Sequence, residues 1–283
     1  MMILALLLCL QDTVEMKAYQ SSYEVVKPAD YGDRMSWPAI VDLGNPKDPA
    51  REPGAFVLVP GSRKDEAFVL ACLLDLKSRY RINPERVLVR GGWAALTLAT
   101  DHPELFAACA LRRPRGFTPP KKAPPCAVFV APGDPDRVQV LAAAMVMRRA
   151  GNDVDLREAG DRPGEILEAL GPRIHPKGTL TTADDFQRQG RWLDATLVLI
   201  DLLDNPEVAR LARTKLKSIE GTAIIELAKV EIAMSERKYK DAVLRCRAAA
   251  FQFAWVPPGE KIRKRLGELE SRADVRKALE ADD

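Results

Sequence analysis

The chain contains few of the residues that most often bind transition metals. Its 283 residues include only two histidines, His102 and His175, and five cysteines that lie far apart, at positions 9, 72, 109, 126 and 246. Neither histidine belongs to an H-E-x-x-H segment and no cysteine pair has C-x-x-C spacing, so we expect no zinc site. The isolated cysteines give no disulfide framework, and those within apolar segments are expected to be buried thiols. We predict neither a metal nor an organic cofactor.

An excess of one charge is also absent, and so is any long apolar segment. The formal net charge is +3, from 43 lysine and arginine residues against 40 aspartate and glutamate residues. This balance gives no reason to expect nucleic acid as a partner. The basic, proline-rich segment 111–122 is either an anion contact or, as we favour, a solvated loop. No apolar segment reaches the ~20 residues that span a bilayer.

The chain begins with ten almost wholly apolar residues, followed by Gln11 and Asp12. This start resembles a short secretory signal, although it lacks a basic beginning and a small-residue cleavage site. We therefore expect residues 1–11 to be a signal peptide and the mature protein to be secreted or periplasmic. The alternative is a cytoplasmic protein whose first residues carry no export signal.

The middle of the chain alternates short apolar strands with helices. Strands are predicted at 22–26, 37–43, 55–59, 86–89, 106–111, 127–131 and 154–157, and helices at 64–80, 93–100 and 139–150. This alternation favours a mostly parallel sheet covered by helices on both faces. A linker rich in glycine and proline follows at 171–178. The predicted domains are therefore an α/β domain at 12–172 and an all-α domain at 180–283.

The second domain consists of predicted helices only. They are expected at 184–203, from Pro206 onward, and at 236–254, 260–269 and 275–279. The segment 236–250 resembles one tetratricopeptide-type helical pair, because a tyrosine precedes a helix that carries small residues. A single repeat does not make a stable array, so the helices are expected to pack either as a small bundle or on the α/β domain. The domain is either a surface for a protein partner or a stabilising cap.

One short segment has the pattern of a catalytic turn without its nucleophile. Residues 87–96 read V-L-V-R-G-G-W-A-A-L, which predicts a strand, a turn of small residues and a helix. In a G-x-S-x-G turn the nucleophilic serine lies at the centre, and here that position is Trp93. An indole has no ionisable nucleophile. We favour a buried Trp93 that fills the former pocket, and the alternative is an exposed stacking surface for a ligand.

The order of these segments resembles the α/β-hydrolase esterases of the polyhydroxybutyrate-depolymerase, feruloyl-esterase and phospholipase/carboxylesterase type. The resemblance covers about residues 22–170 and is strongest over 65–108. It includes R-I-N-P-E-R-V at 81–87, before the turn, and D-H-P-E-L-F-A-A at 101–108, after the following helix. It implies an α/β-hydrolase-like sheet.

The resemblance also implies where the other catalytic positions lie. The family's acid follows a strand as G-x-x-D, which matches Asp136, and the position of the family's histidine falls on Gly164. The oxyanion-hole segment, normally H-G-G, reads L-G-N-P at 43–46 and includes a proline without an N–H group. The implied catalytic positions are Asp136, Trp93 and Gly164. The residues expected to line the remnant pocket are Leu43, Gly44, Gly92, Trp93 and Ala94.

Loss of both nucleophile and base predicts a protein without hydrolase activity, because a catalytic triad works as a unit. We therefore expect a pseudo-hydrolase that binds a small acyl ligand, or a protein partner through its C-terminal helices. The alternative is an active carboxylic-ester hydrolase with a relocated site. Ser62 and His175 are the residues considered for such a site, although Ser62 is more simply a helix N-cap and His175 lies in the linker. His102 is expected to be structural.

Overall fold

The computed structural model describes residues 11–16, 19–28, 31–32, 36–44, 52–63, 65–112, 120, 122–158, 162–174, 176 and 178–280. The expected signal peptide lies almost entirely outside these residues, as do His175 and most of the basic segment 111–122. The described residues form two compact units. The first comprises those of 11–76 and 81–176, and the second comprises 77–80 and those from 178 onward.

The first unit is built on one sheet of eight strands. The strands are β1 (Gln11–Met16), β2 (Ser21–Val26), β3 (Trp37–Asp42), β4 (Phe56–Pro60), β5 (Ile82–Gly91), β6 (Ala108–Arg112), β7 (Cys126–Val130) and β8 (Val154–Glu158). They lie in the order β1-β2-β4-β3-β5-β6-β7-β8. β2 is antiparallel to both β1 and β4, and every other neighbouring pair is parallel. Strand β1 was not predicted from the sequence.

Four helices accompany the strands: α1 (Glu66–Arg79), α2 (Trp93–Asp101), α3 (Arg137–Arg149) and α4 (Glu165–Leu170). Helix α4 continues into a 3₁₀ turn, Gly171–Arg173. All residues of β3, β4 and β7 are buried, so the centre of the sheet is covered on both faces. One of these faces packs Ile40, Leu88 and Phe129 against Ile166 and Leu170.

The second unit is helical. Its helices are α5 (Leu180–Arg188), α6 (Trp192–Asp201), α7 (Ala209–Ser235), α8 (Tyr239–Gln252), α9 (Pro257–Ser271) and α10 (Ala273–Glu280). The single helix predicted at 184–203 is wrong, because Gly190 adopts a left-handed φ of 72° and separates α5 from α6. Pro206 precedes α7 by three residues instead of lying in its first turn. No described helix is both long and apolar enough to span a membrane.

These two units confirm the fold class expected from the sequence. The chain combines an α/β-hydrolase-like, mostly parallel sheet with an all-α C-terminal region. The strands that read as apolar runs are the ones buried at the centre of the sheet, as expected for parallel strands covered on both faces.

Two glycines of α9 test the packing of the helical unit. A Cβ added to Gly259 would lie 1.7 Å from the Phe253 carbonyl oxygen, whereas a Cβ added to Gly267 would meet nothing within 4 Å. We expect Gly259→Ala to lower the free energy of unfolding by about 1–3 kcal/mol, because the backbone must shift. We expect Gly267→Ala to raise it by about 0.5–1 kcal/mol through helix propensity. Urea unfolding followed by circular dichroism measures both values.

The two variants make the same chemical change in the same helix, so helix propensity cannot account for opposite signs. A Gly259→Ala protein at least as stable as the parent would contradict the close approach of Phe253 to α9.

Candidate functional site

The candidate site lies where the parallel strands β3, β4 and β5 end. Their carboxyl ends share one edge of the sheet, the edge at which open α/β sheets bind ligands. This edge carries Leu43 and Gly44 after β3, Ser62 and Arg63 after β4, and the turn to α2 after β5. The sequence therefore brings the predicted nucleophile position and the predicted oxyanion-hole residues to the same edge.

The turn between β5 and α2 requires small residues. Strand β5 ends at Gly91, α2 begins at Trp93, and only Gly92 lies between them. A Cβ at Gly91 would lie 3.2 Å from the Cβ of Ala95 and 3.3 Å from that of Leu43. The loop after β3 and the first turn of α2 thus both approach Gly91 closely, which explains the small residues of this segment.

Trp93, at the predicted nucleophile position, does not have the backbone conformation of a nucleophile. Among the described residues other than glycine, a positive φ occurs only at Gln20 and Arg237, so Trp93 does not carry the strained conformation of a catalytic elbow. Its side chain is 38% exposed. The favoured expectation of a buried Trp93 is therefore wrong. In the relaxed turn Trp93 is the first residue of α2 and stays at the surface.

The backbone donors after β3 are used inside the protein. The Leu43 N–H donates to the Arg90 carbonyl oxygen at 2.8 Å, and the Gly44 N–H donates to Asp42 Oδ1 at 2.9 Å. An oxyanion hole needs such donors to point at a ligand oxygen. Leu43 instead connects the end of β3 to the end of β5, and Gly44 donates to Asp42, the last residue of β3.

A buried ion pair lies beneath this loop. Arg90 Nη1 donates to Asp42 Oδ2 at 2.7 Å, and both side chains are almost fully buried. Arg63 adds a second guanidinium nearby. Burial lowers the pKa of Arg63 and the repulsion from Arg90 acts in the same direction, whereas the attraction of Asp42 opposes them. The resemblance to esterases gave no reason to expect this cluster.

Asp136, the predicted position of the family's acid, lies in the turn before α3. Its N–H donates to Asp134 Oδ1 at 2.9 Å, and its carbonyl oxygen accepts from the Val140 N–H at 3.0 Å. Its side chain is half-buried. The structure therefore places Asp136 at the start of a helix, where the carboxylate of Asp134 organises the turn.

Gly164, the predicted position of the family's histidine, immediately precedes α4 with a left-handed φ of 88°. A histidine there would be strained whatever the space around it. The first turn of α4 is capped by Glu52, whose carboxylate accepts from the N–H groups of Ile166 at 2.9 Å and Leu167 at 3.4 Å. Burial raises the pKa of Glu52, and these hydrogen bonds only partly offset it. Sequence analysis missed Glu52, since no local pattern links it to α4.

The remaining candidates lie apart from a catalytic geometry. Asp65, not Ser62, caps α1, because Asp65 Oδ1 accepts from the Phe68 N–H at 3.1 Å; the N-cap expected at Ser62 is therefore wrong. Ser62 instead lines a groove of about 480 Å³ together with Ser22 and Arg63. His102 follows the last turn of α2, nine residues and ~13 Å along the helix from Trp93.

The described cysteines are buried thiols. Burial raises the pKa of Cys72 to about 12, and burial together with a hydrogen bond involving Cys126 raises the pKa of Cys109 well above its usual range. Such thiols do not ionise at neutral pH and are poor nucleophiles. Among the described residues, no group of three histidine, cysteine, aspartate or glutamate side chains is arranged to hold a metal ion.

Comparison with known proteins yields structural similarity only. No protein-family model matches the chain, and no curated protein sequence matches it. A thermostable esterase is similar at 19% identity with a TM-score of 0.41, over 65% of this chain and 61% of the esterase. A ferulic acid esterase is similar at 13% identity with a TM-score of 0.42, over 58% of this chain and 94% of that chain.

A third similar structure is Thermogutta terrifontis esterase 2 phosphorylated by paraoxon, at 18% identity with a TM-score of 0.33, over 54% of this chain and 83% of that chain. The present chain thus spans less than two thirds of the length of the thermostable esterase. Because these identities and TM-scores are low, the fold class rests on the strand order and burial described above.

The ion pair between Asp42 and Arg90 gives a direct test of the site's construction. We expect Asp42→Asn and Arg90→Met each to lower the free energy of unfolding by about 3–5 kcal/mol, because each breaks a buried ion pair by removing one partner. The double variant is expected to lose less than the sum of the two. Chemical unfolding of all four proteins gives the coupling energy.

The exposed pair of Asp185 and Arg188 on α5 serves as the control. Asp185→Asn is expected to change the free energy of unfolding by no more than about 0.5 kcal/mol, because water solvates both charges. Additive losses for Asp42 and Arg90 would contradict the proposed coupling.

His102 makes stability depend on pH. Its Nε2 lies 2.9 Å from Glu66 Oε1 and its Nδ1 3.4 Å from Glu104 Oε1. The hydrogen bond with Glu66 raises the pKa of His102, while burial opposes this. A raised pKa means that the charged imidazole stabilises the folded state fully below about pH 6.5. This contribution is lost as the pH rises through the pKa of the folded state.

We therefore expect His102→Asn to be less stable than the parent at pH 5.5, and the difference to shrink by pH 8.5. Melting temperatures across this range measure the effect. A difference that grows with pH would show that folding lowers the pKa of His102, in contradiction to the raised pKa assigned here.

Proposed function

We propose that this chain is a non-hydrolytic protein built on the α/β-hydrolase fold, and that it binds a small acyl ligand at the carboxyl edge of the sheet beside Trp93. The observation that carries the proposal is the exposed indole of Trp93 at the nucleophile position. The indole at this position cannot form an acyl-enzyme.

Three further observations support loss of hydrolysis. Gly164, at the histidine position, has a backbone conformation that favours glycine. The N–H groups of Leu43 and Gly44 donate to Arg90 and Asp42. A triad that lacks nucleophile and base retains only the residual catalysis that binding and an oxyanion hole supply, and here the donors of the hole are occupied as well.

An apolar ligand is favoured by the character of Trp93. An aromatic side chain exposed at a ligand-binding edge offers a flat apolar surface for an acyl chain or an aromatic acid. The neighbouring residues Gly92 and Ala94 are small. Binding of a protein through the helical unit is the other form of this proposal, and a parent protein that responds to neither probe in the second experiment below would favour it.

The first experiment measures hydrolysis of p-nitrophenyl acetate, butyrate and octanoate, together with labelling by a fluorophosphonate probe. We expect no turnover above the buffer rate and no labelled serine. Ser62→Ala is expected to behave like the parent. Turnover with labelling that Ser62→Ala abolishes would overturn the proposal in favour of an esterase with a relocated nucleophile.

The second experiment measures binding by tryptophan fluorescence, with octanoate and ferulate as probes. We expect a saturable change in the parent that is absent in Trp93→Phe, because that variant keeps the ring area but removes the indole signal. A change that persists in Trp93→Phe would place the ligand elsewhere, near one of the other three tryptophans.

A further inference from the structure

Helix α7 has a second apolar face that is exposed. Its core-facing residues include Ala212, Ile219 and Val230, which are fully buried in the helical unit. On the other side, Leu211 and Ile225 are 54% and 56% exposed. Large apolar side chains grouped on one exposed surface usually mark an interaction site.

These exposed residues follow a seven-residue repeat. Leu211, Ser218, Ile225 and Ile232 are spaced by seven, and all four are exposed. Between them, at the complementary positions of the repeat, lie exposed Thr214, Gly221, Ala228 and Ser235. We call these eight positions the α7 face. It carries no charged residue, and its three large apolar residues, Leu211, Ile225 and Ile232, share the seven-residue spacing of a helix that packs along a second helix.

The residues between the large side chains are small. Gly221 and Ala228 lie on either side of Ile225, and a Cβ added to Gly221 would meet nothing within 4 Å. Small residues at a contact permit short distances between helix axes. The α7 face therefore suits another helix with the same alternation of large and small residues.

Charge along α7 is divided between its two halves. The N-terminal half carries Arg210, Arg213 and Lys217, and none of these forms an ion pair among the described residues. Beyond Lys217 the helix carries Glu220, Glu226 and Glu231, with Lys229 as its one basic residue. Two such helices side by side in parallel would place like charges together, whereas antiparallel packing places the basic half of each beside the acidic half of the other.

Two of the three carboxylates in the acidic half form ion pairs within the chain, Glu226 with Lys229 and Arg245, and Glu231 with Arg265. Glu231 accepts from Arg265 at 2.7 Å, yet its side chain stays 49% exposed. Glu220 forms no ion pair among the described residues. Both carboxylates can therefore interact with basic residues of another helix without breaking a buried contact.

We propose that the α7 face binds the α7 face of a second copy of this chain, antiparallel and around a two-fold axis near Gly221. Such an interface is self-complementary, as a symmetric dimer requires. The helix has 27 residues and is ~40 Å long. One helix pair buries less area than a standard interface of about 1,600 Å². We therefore expect a weak dimer with a dissociation constant in the micromolar range. The proposal does not depend on the proposed function.

Sedimentation equilibrium of the full chain, from about 1 to 200 µM, tests the proposal. The parent is expected to shift from monomer to dimer over this range. Ile225→Glu with Ile232→Glu is expected to weaken dimerisation at least about tenfold, because the interface would bury unpaired carboxylates. Leu244→Glu on α8 is the matched control, since Leu244 is 52% exposed and lies outside the α7 face.

The dimer should be unaffected in the Leu244 variant. A parent that stays monomeric at the highest concentration overturns the proposal, and so does equal weakening by the Leu244 variant. Circular dichroism establishes that each variant is folded. A parent monomer that binds a different protein through the α7 face also overturns it.

Cysteine cross-linking tests the orientation. With the axis near Gly221, residue 214 of one copy lies opposite residue 228 of the other. In a Cys9→Ser background, a mixture of Thr214→Cys and Ala228→Cys chains is expected to form the mixed disulfide on oxidation. Each variant alone should cross-link poorly, because its two cysteines would be ~21 Å apart along the helices. Preferential cross-linking of Thr214→Cys with itself would overturn the antiparallel arrangement.

Discussion

The carboxyl edge of the sheet is organised around the buried ion pair of Asp42 and Arg90. Each residue lies at the end of a neighbouring parallel strand, and the carboxylate of Asp42 also accepts the N–H of Gly44. Because a charge buried without its partner is costly, the two strand ends are held together. The loop after β3 therefore cannot leave the turn before α2 without exposing or separating these charges.

This constraint bears on the proposed loss of hydrolysis at the edge. The close contact of Gly91 with Leu43 and Ala95 retains the geometry that brings loop and helix together. The donors of the loop then serve the protein's own acceptors, and Trp93 takes an unstrained helical backbone. At α4, the carboxylate of Glu52 accepts from the backbone N–H of Ile166 and so caps the helix that begins after Gly164. Groups that a hydrolase directs at its substrate here stabilise the edge itself, which is the physical basis for proposing binding without hydrolysis.

The sequence predicted the parts of the fold that depend on local apolar patterns. Seven strands were predicted because their residues form apolar runs. The strands β3, β4 and β7 are wholly buried, whereas β2 and β8 are only partly buried. Strand β1 was missed because Gln11–Met16 is short and mostly polar, as suits an edge strand. Helix α4 has only six residues, and its cap, Glu52, lies 114 positions before Ile166. No pattern within a local window contains such a contact.

The candidate site, like the fold, could be predicted only in part from the sequence. Resemblance and spacing located Trp93, Asp136 and Gly164, but they could not give the exposure of Trp93 or the pairing of Arg90. Trp93 was expected in the core because an apolar side chain usually gains free energy on burial. Its exposure depends on where α2 begins. The small residues Gly91 and Ala95 and their close approach to Leu43 together decide that position. Ser62 and Asp65 illustrate the point on a smaller scale, since three residues separate a plausible cap from the real one.

In helix α7 the repeat of apolar residues is visible in the sequence, but the sequence does not show which apolar side is buried. A helix with apolar residues on two sides can bury only one of them in its own unit. The sequence does not say which side that is, because Ile219 and Ile225 are chemically equivalent. Once burial assigns Ile219 to the core, the remaining face has no partner in the helical unit, and its uneven charge disfavours parallel pairing with itself. The inference of an antiparallel partner thus needs both sources: the repeat comes from the sequence, and the exposure comes from the structure.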